Sequence, residues 1–536
     1  SNNLAHFQAH CYPVSSFVSR VKMSDSNSDS EAMPLHSPPI SSLPNQDLPP
    51  ASSPDYSFSL VALLFSVPAL GGALFGYDIG STSFAITQMQ DANFAGVSWW
   101  QTVRSSPAWT GAIVSAGSAG ALLGSFLMFL CADALGRRTE LRLGGALYAA
   151  GALLEAWTAR SGDWGAGLGL TVLLAGRLIY GVGVGITMHG APTYLSEQSP
   201  TQIRGLLISL KEASIVLGIL MGYFVGLVFS KTVGGWAMTY GVAIIPAVLI
   251  VALSFVIPES CRWLLLQGKE REALESLSFV FRGGHAEREF ETLKNNQEIA
   301  EQTQEVQGGG NRGIWDPSYR APFRAGVGII VLQQITGQPS VLSYATPIFR
   351  DAGLSDYATI LVAVFKLVAT LCAAVTVEKF GRKNLLYTGC SLMLAALIAL
   401  SLSFGNTSQG AEGTILIAMF VYIGGYQVGF GPIGWLIISE VFPLSVRGQA
   451  VAVSVQMNFL LNAIVQFGVP VLESWIGLNF TFATFAAFTA YSIYFVKANV
   501  PETKGFTLEE IEQQFTSMYR RNTSGTATQA QPLFGN

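Results

Sequence analysis

Two ionisable side chains lie inside long uncharged stretches of the sequence. Asp78 ends the apolar stretch that begins at Phe58, and Arg177 lies within a later one. A carboxylate facing lipid is costly, so Asp78 must face a cleft, find a partner or stay protonated, whereas Arg keeps its charge. An Asp–Arg pair whose attraction and hydration change with access would let Asp78 bind and release a proton. The alternative is a structural salt bridge between helices.

Three amide side chains, Gln333, Gln334 and Gln338, fall within six residues of an apolar stretch that Gly337 and Pro339 interrupt. Amides donate and accept hydrogen bonds at once, which matches the hydroxyl groups of a sugar. Stretches interrupted by Gly and Pro line transporter cavities. We therefore predict that these amides contact a sugar.

The composition indicates the kind of element that positions these residues. Half of the 536 residues are hydrophobic and 12% are charged, whereas a soluble domain is about one quarter charged. This excludes a soluble enzyme, and a net charge of −4 gives no sign of a nucleic-acid partner. The five cysteines have no metal-ligand or redox spacing, and no nucleophile–base pair or phosphate-binding loop occurs. We predict no enzyme, no cofactor and no metal.

The hydropathy pattern predicts an all-α membrane protein. Long apolar stretches recur, each near the roughly 20 residues that a spanning helix needs. About twelve are found, at 58–80, 108–131, 141–158, 168–190, 206–229, 236–257, 324–349, 357–377, 384–404, 412–438, 449–472 and 478–500.

The basic residues predict the orientation. About eighteen Lys and Arg fall in one alternate set of loops and the C-terminal tail, against about four in the other set. By the positive-inside rule the first set is cytosolic, and both termini then face the cytosol.

An internal repeat organises the chain into two halves. Residues 196–205, 136–138 and 258–260 reappear at 439–448, 381–383 and 501–503, offset by 243 to 245 residues. Equivalent motifs on one face require an even number of spans, six, per half, and two such bundles form an alternating-access transporter. The predicted organisation is a disordered tail (1–57), a first six-helix bundle (58–257), a cytosolic linker with short helices (258–322), a second bundle (323–500) and a cytosolic tail (501–536).

The motifs together resemble the sugar porter branch of the major facilitator superfamily, from residue 58 to about 513. The matching pieces are Gly76-Tyr77-Asp78, Gly136-Arg137-Arg138, Gly176-Arg177, Pro258-Glu259-Ser260, Gln333-Gln334 with Gly337-Gln338, Gly431-Pro432 with Trp435, and Pro501-Glu502-Thr503. Finer features resemble the plant and algal D-xylose-proton symporter-like group, which includes vacuolar and plastid-envelope glucose transporters. These are Met188-His189, Ser209 with Lys211-Glu212, and Gln338-Pro339.

The resemblance implies roles for single residues. Asp78 would be the proton site and Arg177 its partner, while Gln333, Gln334, Gln338, Trp435 and Asn458 would contact the sugar, with Asn462 as a further candidate. A lipid-interface position is the alternative for Trp435. Glu212 and Lys366 stand where the family usually has Gln and Asn, so they would bind hydroxyls, pair with each other across the cleft, or form a structural ion pair.

A second set of charged residues has a gating role by the same resemblance. These residues would form ion pairs that hold the halves together when the cytosolic side is shut; ordinary positive-inside charge is the alternative. The set is Arg137, Arg138, Glu197, Arg204, Glu259, Arg382, Glu440 and Arg447. His189, near the same side, is expected to be a packing residue rather than a proton relay.

The resulting expectation is a monomeric carrier in membrane lipid that moves a monosaccharide, a hexose such as glucose or a pentose, with a proton. A facilitative uniporter and a non-transporting sugar sensor are the alternatives. The resemblance favours an organellar membrane, of the vacuole or plastid envelope, over the plasma membrane. Pro339, Ser343 and Phe459 depart from the family pattern and leave the sugar unnamed.

Overall fold

A computed structural model describes residues 56–159, 165–200, 202–282, 284–306, 316–405, 411–442, 444–504, 510, 511 and 515. Within these ranges the chain is helical and has no β-strand, and Tyr56 forms a single antiparallel bridge with Phe281. The predicted tail 1–57 lies outside the described residues except at its last two positions, and so does most of the predicted tail 501–536.

The helices of the described chain follow in two groups with three further helices between them. The first group is α1 (Phe58–Met89), α2 (Trp100–Ser105), α3 (Pro107–Leu135), α4 (Arg137–Thr158), α5 (Ala166–Gln198), α6 (Arg204–Phe229), α7 (Gly235–Val242) and α8 (Ile244–Leu253). Between the groups lie α9 (Cys261–Leu266), α10 (Glu270–Ser278) and α11 (His285–Val306). The second group is α12 (Arg320–Ile335), α13 (Gln338–Ser343), α14 (Ala345–Asp351), α15 (Tyr357–Phe380), α16 (Arg382–Phe404), α17 (Ala411–Val428), α18 (Phe430–Val441) and α19 (Leu444–Asn499).

These helices account for the twelve predicted spans within the described ranges. Eight segments are long and apolar enough to cross a membrane, and one of them, Val446–Asn499, breaks at Gly477 and so provides two spans. The remaining three are α4, which carries several charges, α15 and the broken run α12–α14. The chain thus has an all-α, twelve-span architecture, as the sequence predicts.

The span predicted at 324–349 differs most from its prediction, because it is divided into three short helices. Gly337 separates α12 from α13 with a φ of 87°, a left-handed conformation that Gly adopts without strain. A Cβ at this position would also lie 2.6 Å from the ring of Phe485. The break leaves Gln333 and Gln334 on one helix and Gln338 at the start of the next.

The internal repeat has a structural counterpart at two glycines. Gly136 separates α3 from α4, and Gly381 separates α15 from α16, with φ values of 79° and 83°. The backbone N–H of Arg138 donates to Glu259 Oε1 at 2.8 Å. In the second half, the N–H of Arg382 donates to Glu502 Oε1 at 3.0 Å. In each half, therefore, a carboxylate satisfies the free N–H groups at a helix N-terminus, where the helix dipole also favours negative charge.

The two ends of the bundle differ in how the halves meet. We call the end that carries Arg137 and Arg382 the Arg-rich face, and the other end the opposite face. Towards the opposite face, Ser83 Oγ of α1 donates to Thr346 Oγ1 of α14 at 2.9 Å, and the hydroxyl of Tyr223 on α6 donates to a carbonyl of α13 at 2.6 Å. Hydrogen bonds thus close the opposite face between the first and second halves.

Candidate functional site

Asp78 and Arg177 form the ion pair that the sequence suggests. Arg177 on α5 donates from Nη1 to Asp78 Oδ1 and from Nη2 to Asp78 Oδ2, the second bond being 3.2 Å. The guanidinium Nε donates to the carbonyl of Ile113 at 3.0 Å, and the ring of Tyr240 lies 5.2 Å from its central carbon. Arg177 is 1% exposed, whereas the Asp78 side chain is 13% exposed. The carboxylate is therefore the part of the pair that solvent reaches.

A second carboxylate, Glu155 of α4, lies beside this pair, and our sequence reasoning missed it. Its Oε1 is 3.8 Å from Arg177 Nη1, and the side chain is 1% exposed. The sequence contains a signal that could have identified it, because Glu155 is an acidic residue inside the predicted span 141–158. One guanidinium thus has two acidic neighbours.

Asp78 and Arg177 line a pocket that reaches the second half of the chain. Residues of α1, α3 and α5 form one side, and residues of α13 and α19 form the other. The polar lining residues are Asp78, Thr82, Ser118, Arg177, Ser343, Asn462 and Gln466. The Asp78–Arg177 ion pair of the first half and amide groups of the second half therefore line the same cavity.

The predicted sugar amides are brought together by α12 and α19. Gln334 Nε2 donates to Asn458 Oδ1 at 2.6 Å, and Asn462 Nδ2 donates to Gln334 Oε1 at 3.1 Å. Gln333 Nε2 donates to the carbonyl of Phe430 at 3.1 Å, while its buried Oε1 has no partner. The buried Nε2 of Gln338 also lacks a partner. These two buried amide atoms keep unused hydrogen-bonding capacity.

A hydrogen-bonded chain continues from these amides to the first half. The hydroxyl of Ser118 on α3 lies 2.8 Å from Asn462 Oδ1 and 2.9 Å from Gln466 Oε1, and it serves as donor. Gln466 Nε2 in turn donates to Ser343 Oγ at 3.2 Å. Ser118 and Gln466 were not predicted as site residues. Ser is common in membrane helices and carries no signal of its own, and only the packing of α3 against α19 brings these two together.

Lys366 and Glu212 find separate partners. Lys366 on α15 is 5% exposed and donates from Nζ to Gln427 Oε1 at 2.6 Å, with the ring of Tyr426 5.4 Å away. Glu212 on α6 pairs with its neighbour Lys211 at 2.7 Å, and its side chain is 47% exposed. The suggested pairing of Glu212 with Lys366 across the cleft is therefore wrong for this structure, because Glu212 is in a local ion pair and Lys366 hydrogen-bonds to an amide.

Trp435 lies on α18, which begins just after the break at Gly429. The side chain is half-buried and packs against the core of the second half. On α19, Phe459 meets Phe75 of the first half, their ring centroids being 6.1 Å apart. Both aromatic residues therefore lie within the protein rather than fully in lipid.

The Arg-rich face holds two copies of one ion-pair motif. In the first half Arg137 lies 3.4 Å from Glu197, and in the second half Arg382 donates to Glu440 at 2.9 Å. A hydroxyl completes each copy, since Ser260 donates to Glu197 and Thr503 donates to Glu440. Each motif lies within one half.

The other predicted gate residues also make contacts within their own half. Arg204 donates to the carbonyl of Ser199, and Arg447 donates to the carbonyl of Phe442, each five residues upstream. Within the described part of the chain, four of the eight predicted gate residues form ion pairs, and each of these pairs lies inside one half. Residues of the Arg-rich face therefore stabilise each bundle in this structure, without bridging the two.

His189 lies near the same face and has a local partner. Its Nδ1 is 2.9 Å from Glu140 Oε2, and Glu140 also pairs with Arg137 at 3.3 Å. His189 therefore has a local hydrogen-bond partner, and its assignment as a packing residue stays a prediction.

The described cysteines are free thiols, at Cys131, Cys261, Cys372 and Cys390. Burial raises the pKa of the Cys261 thiol to about 12, so this group stays protonated and unreactive. Among the described residues, no cluster of three His, Cys, Asp or Glu is arranged to hold a metal ion.

Comparison with known proteins places this geometry among transporters. The sequence matches the family described as "Sugar (and other) transporter" over residues 64–515. It is 41% identical to the D-xylose-proton symporter-like 3, chloroplastic, of Arabidopsis thaliana, covering 86% of this chain and 83% of that protein. It is 32% identical to the plastidic glucose transporter 4 of the same plant, covering 87% and 83%. The inward open conformation of the xylose transporter XylE from E. coli superposes with a TM-score of 0.72 at 27% identity, covering 85% of this chain and 99% of that one.

Proposed function

Because the chain belongs to the sugar (and other) transporter family, we propose that it carries a monosaccharide across a membrane together with a proton, by alternating access. The substrate class is a hexose such as glucose or a pentose such as xylose, which relatives are named for. The observation that carries the proposal is the shared cavity, in which Asp78 and Arg177 face Asn462 and Gln466.

The proton is held at Asp78. Its carboxylate is the exposed member of the pair, so water in the cavity can deliver a proton to it, whereas Arg177 keeps its charge. Protonation removes one of the two charges and weakens the ion pair between α1 and α5. The strength of a contact between two spanning helices then depends on the proton.

The sugar is held by the amides of α12, α13 and α19. Gln333 Oε1 is a free acceptor and Gln338 Nε2 a free donor, and Gln334 with Asn458 can exchange their mutual hydrogen bond for bonds to hydroxyls. Trp435 supplies an aromatic face for the sugar ring, and Lys366 with Glu212 supplies further polar contacts at the edge of the site. Amide-to-hydroxyl exchange costs little, because each buried polar atom keeps a partner.

Alternating access follows from the difference between the two ends of the bundle. Hydrogen bonds between the halves close the opposite face, such as Ser83 with Thr346. We assign the Arg-rich face to the cytosol, with both termini on that side, so this structure represents an inward-facing state. In the outward-facing state the Arg-rich ends of the halves come together, and the charged motifs around Arg137 and Arg382 then bridge them.

The membrane is that of an organelle, either the vacuole or the plastid envelope. The chloroplastic relative at 41% identity supports this choice over the plasma membrane. The carrier works as a monomer in lipid, since one chain supplies both halves of the cavity.

The decisive experiment is uptake into proteoliposomes that contain the full chain. Labelled D-glucose and D-xylose are supplied with and without an inward proton gradient, and protein-free liposomes serve as the control. Accumulation that requires the gradient supports proton symport. Equal equilibration with and without the gradient would indicate a uniporter, and absence of any specific uptake or binding of these sugars would contradict the proposed transport.

A further inference from the structure

Glu155 is a buried acid that the proposed transport cycle does not yet use. It belongs to α4 at a tight contact with α5, where a Cβ on Gly176 would lie 3.0 Å from Glu155 Cγ. The oxygen that faces Arg177, Oε1, has no hydrogen-bond partner. Burying a carboxylate oxygen without a hydrogen-bond partner is energetically unfavourable. We therefore expect Glu155 to have a function that compensates for this cost.

The charges around Arg177 do not balance when both acids are ionised. The same nitrogen, Nη1, contacts Asp78 Oδ1 and lies 3.8 Å from Glu155 Oε1. Two carboxylates and one guanidinium give a net charge of −1, and a single proton on the cluster makes it neutral.

The other titratable groups that face Glu155 are phenols. They are Tyr180 on α5, Tyr77 on α1 and Tyr240 on α7. Their hydroxyls donate to the carbonyl of Leu74, the carbonyl of Thr239 and the hydroxyl of Thr82, respectively. The charge of the cluster is therefore set by Asp78, Glu155 and Arg177.

If Asp78 were protonated and nothing else changed, the buried Arg177 would lose its counter-ion. The guanidinium cannot lose its proton, and a buried cation without a counter-ion is strongly unfavourable. Glu155 is the one described carboxylate besides Asp78 that lies within ion-pair distance of Arg177.

We propose that Glu155 is the second counter-ion of Arg177 and takes over the guanidinium when Asp78 is protonated, so that the proton-loaded site is electrically neutral. The proton moves from water in the cavity to an Asp78 oxygen, the Asp78–Arg177 hydrogen bonds weaken, and Arg177 Nη1 closes on Glu155 Oε1. Glu155 acts through Arg177 and is a positioning residue. This inference rests on the proposed proton symport and adds the group that allows Asp78 to be loaded.

Glu155→Gln tests the proposal because it removes the charge and keeps the shape. Without Glu155 the loaded site carries +1, so Asp78 binds its proton less tightly. We expect the pH midpoint of D-glucose or D-xylose uptake to move about one unit towards acid, a tenfold loss of proton affinity. Glu155→Asp, which keeps the charge, should keep the midpoint close to that of the unmodified protein. Glu412→Gln is the control, since it removes an exposed carboxylate from the first turn of α17 in the other half and should leave the midpoint unchanged.

Sugar counterflow, which needs no proton gradient, separates the two ideas. An unchanged midpoint in an active Glu155→Gln protein overturns the role of Glu155 and leaves symport intact. If neither counterflow nor uptake by the unmodified protein depended on pH, both symport and this inference would be wrong.

A second measurement does not depend on transport. Asp78→Asn mimics the loaded site, where Glu155 is the remaining counter-ion of Arg177. We expect the fall in thermal midpoint of the detergent-solubilised double variant Asp78→Asn/Glu155→Gln to exceed the sum of the falls in the single variants. Additive falls would contradict the proposal.

Discussion

Ser118 Oγ lies 2.8 Å from Asn462 Oδ1, and this hydrogen bond joins α3 of the first half to α19 of the second. Asn462 also donates to Gln334, the central amide of the candidate sugar site. Ser118 lines the same cavity as Asp78 and Arg177. Ser118 therefore lies in the cavity of the proposed proton site and hydrogen-bonds, across the plane where the halves meet, to an amide of the proposed sugar site.

Replacing Asp78 with Asn should abolish accumulation of sugar against a gradient while sugar exchange survives. Asn keeps the shape and still accepts from Arg177, but it cannot bind a proton, so the driving force is lost. Proteoliposome uptake and counterflow measure the two activities. Unchanged pH-driven uptake in Asp78→Asn would contradict the role of Asp78.

Ser118→Ala should shift the carrier towards the outward-facing state. The variant removes a hydrogen bond between the halves that exists when the opposite face is closed, worth about 1 kcal/mol, so the population ratio should change about fivefold. Accessibility of an introduced cysteine on each face reports the ratio. Ser474→Ala is the control, because its hydroxyl donates to a carbonyl of its own helix, and a similar shift in both variants would contradict the prediction.

Gln334→Ala should raise the KM for sugar about tenfold. The variant removes both a donor and an acceptor from the cavity and leaves Asn458 and Asn462 without their shared partner, an effect of about 1.4 kcal/mol. Initial uptake rates over a range of sugar concentrations give the KM. Asn384→Ala removes an exposed amide on α16, far from the cavity, and should leave the KM unchanged; equal KM values for both variants would exclude Gln334 from the site.

Reversing the charge of Glu440, as in Glu440→Lys, should increase the inward-facing population. Glu440 neutralises Arg382 at 2.9 Å, and a cation in its place would repel Arg382 and oppose closure of the Arg-rich face. Glu197→Lys in the first copy should act in the same direction. Labelling of a cysteine introduced in the cleft near the Arg-rich face by a membrane-impermeant reagent measures closure, and unchanged labelling in both variants would refute a gating role.

Gly120→Ala should lower the thermal midpoint of the protein. A Cβ at Gly120 would lie 2.2 Å from the carbonyl oxygen of Leu178, so α3 and α5 must move apart at a cost of about 1–3 kcal/mol. The same change at Gly468 of α19 meets nothing within 4 Å and is the control. Thermal unfolding in detergent compares the two, and equal midpoints would show that the α3–α5 contact tolerates a methyl group.

Much of the fold could be predicted because its signals are local. The length of each apolar stretch predicted the spans. The repeated motifs that contain Gly136 and Gly381 indicated equivalent helix junctions in the two halves. The Asp78–Arg177 pair followed from the cost of burying an unpaired charge, which allows few solutions. The seventh span was less predictable, since its break at Gly337 packs against Phe485, a residue distant in the sequence.

The sequence by itself determined that the chain is a twelve-span membrane protein with two related halves, and that Asp78 and Arg177 lie within its spans. Those properties depend on hydrophobic length and charge cost, which each segment carries alone. Only the tertiary structure decided that Glu155 shares Arg177, that Ser118 reaches Asn462, and that Lys366 bonds to Gln427 instead of Glu212. These contacts join different helices, and they depend on how each helix is rotated and where glycines let two backbones approach, which no single segment specifies.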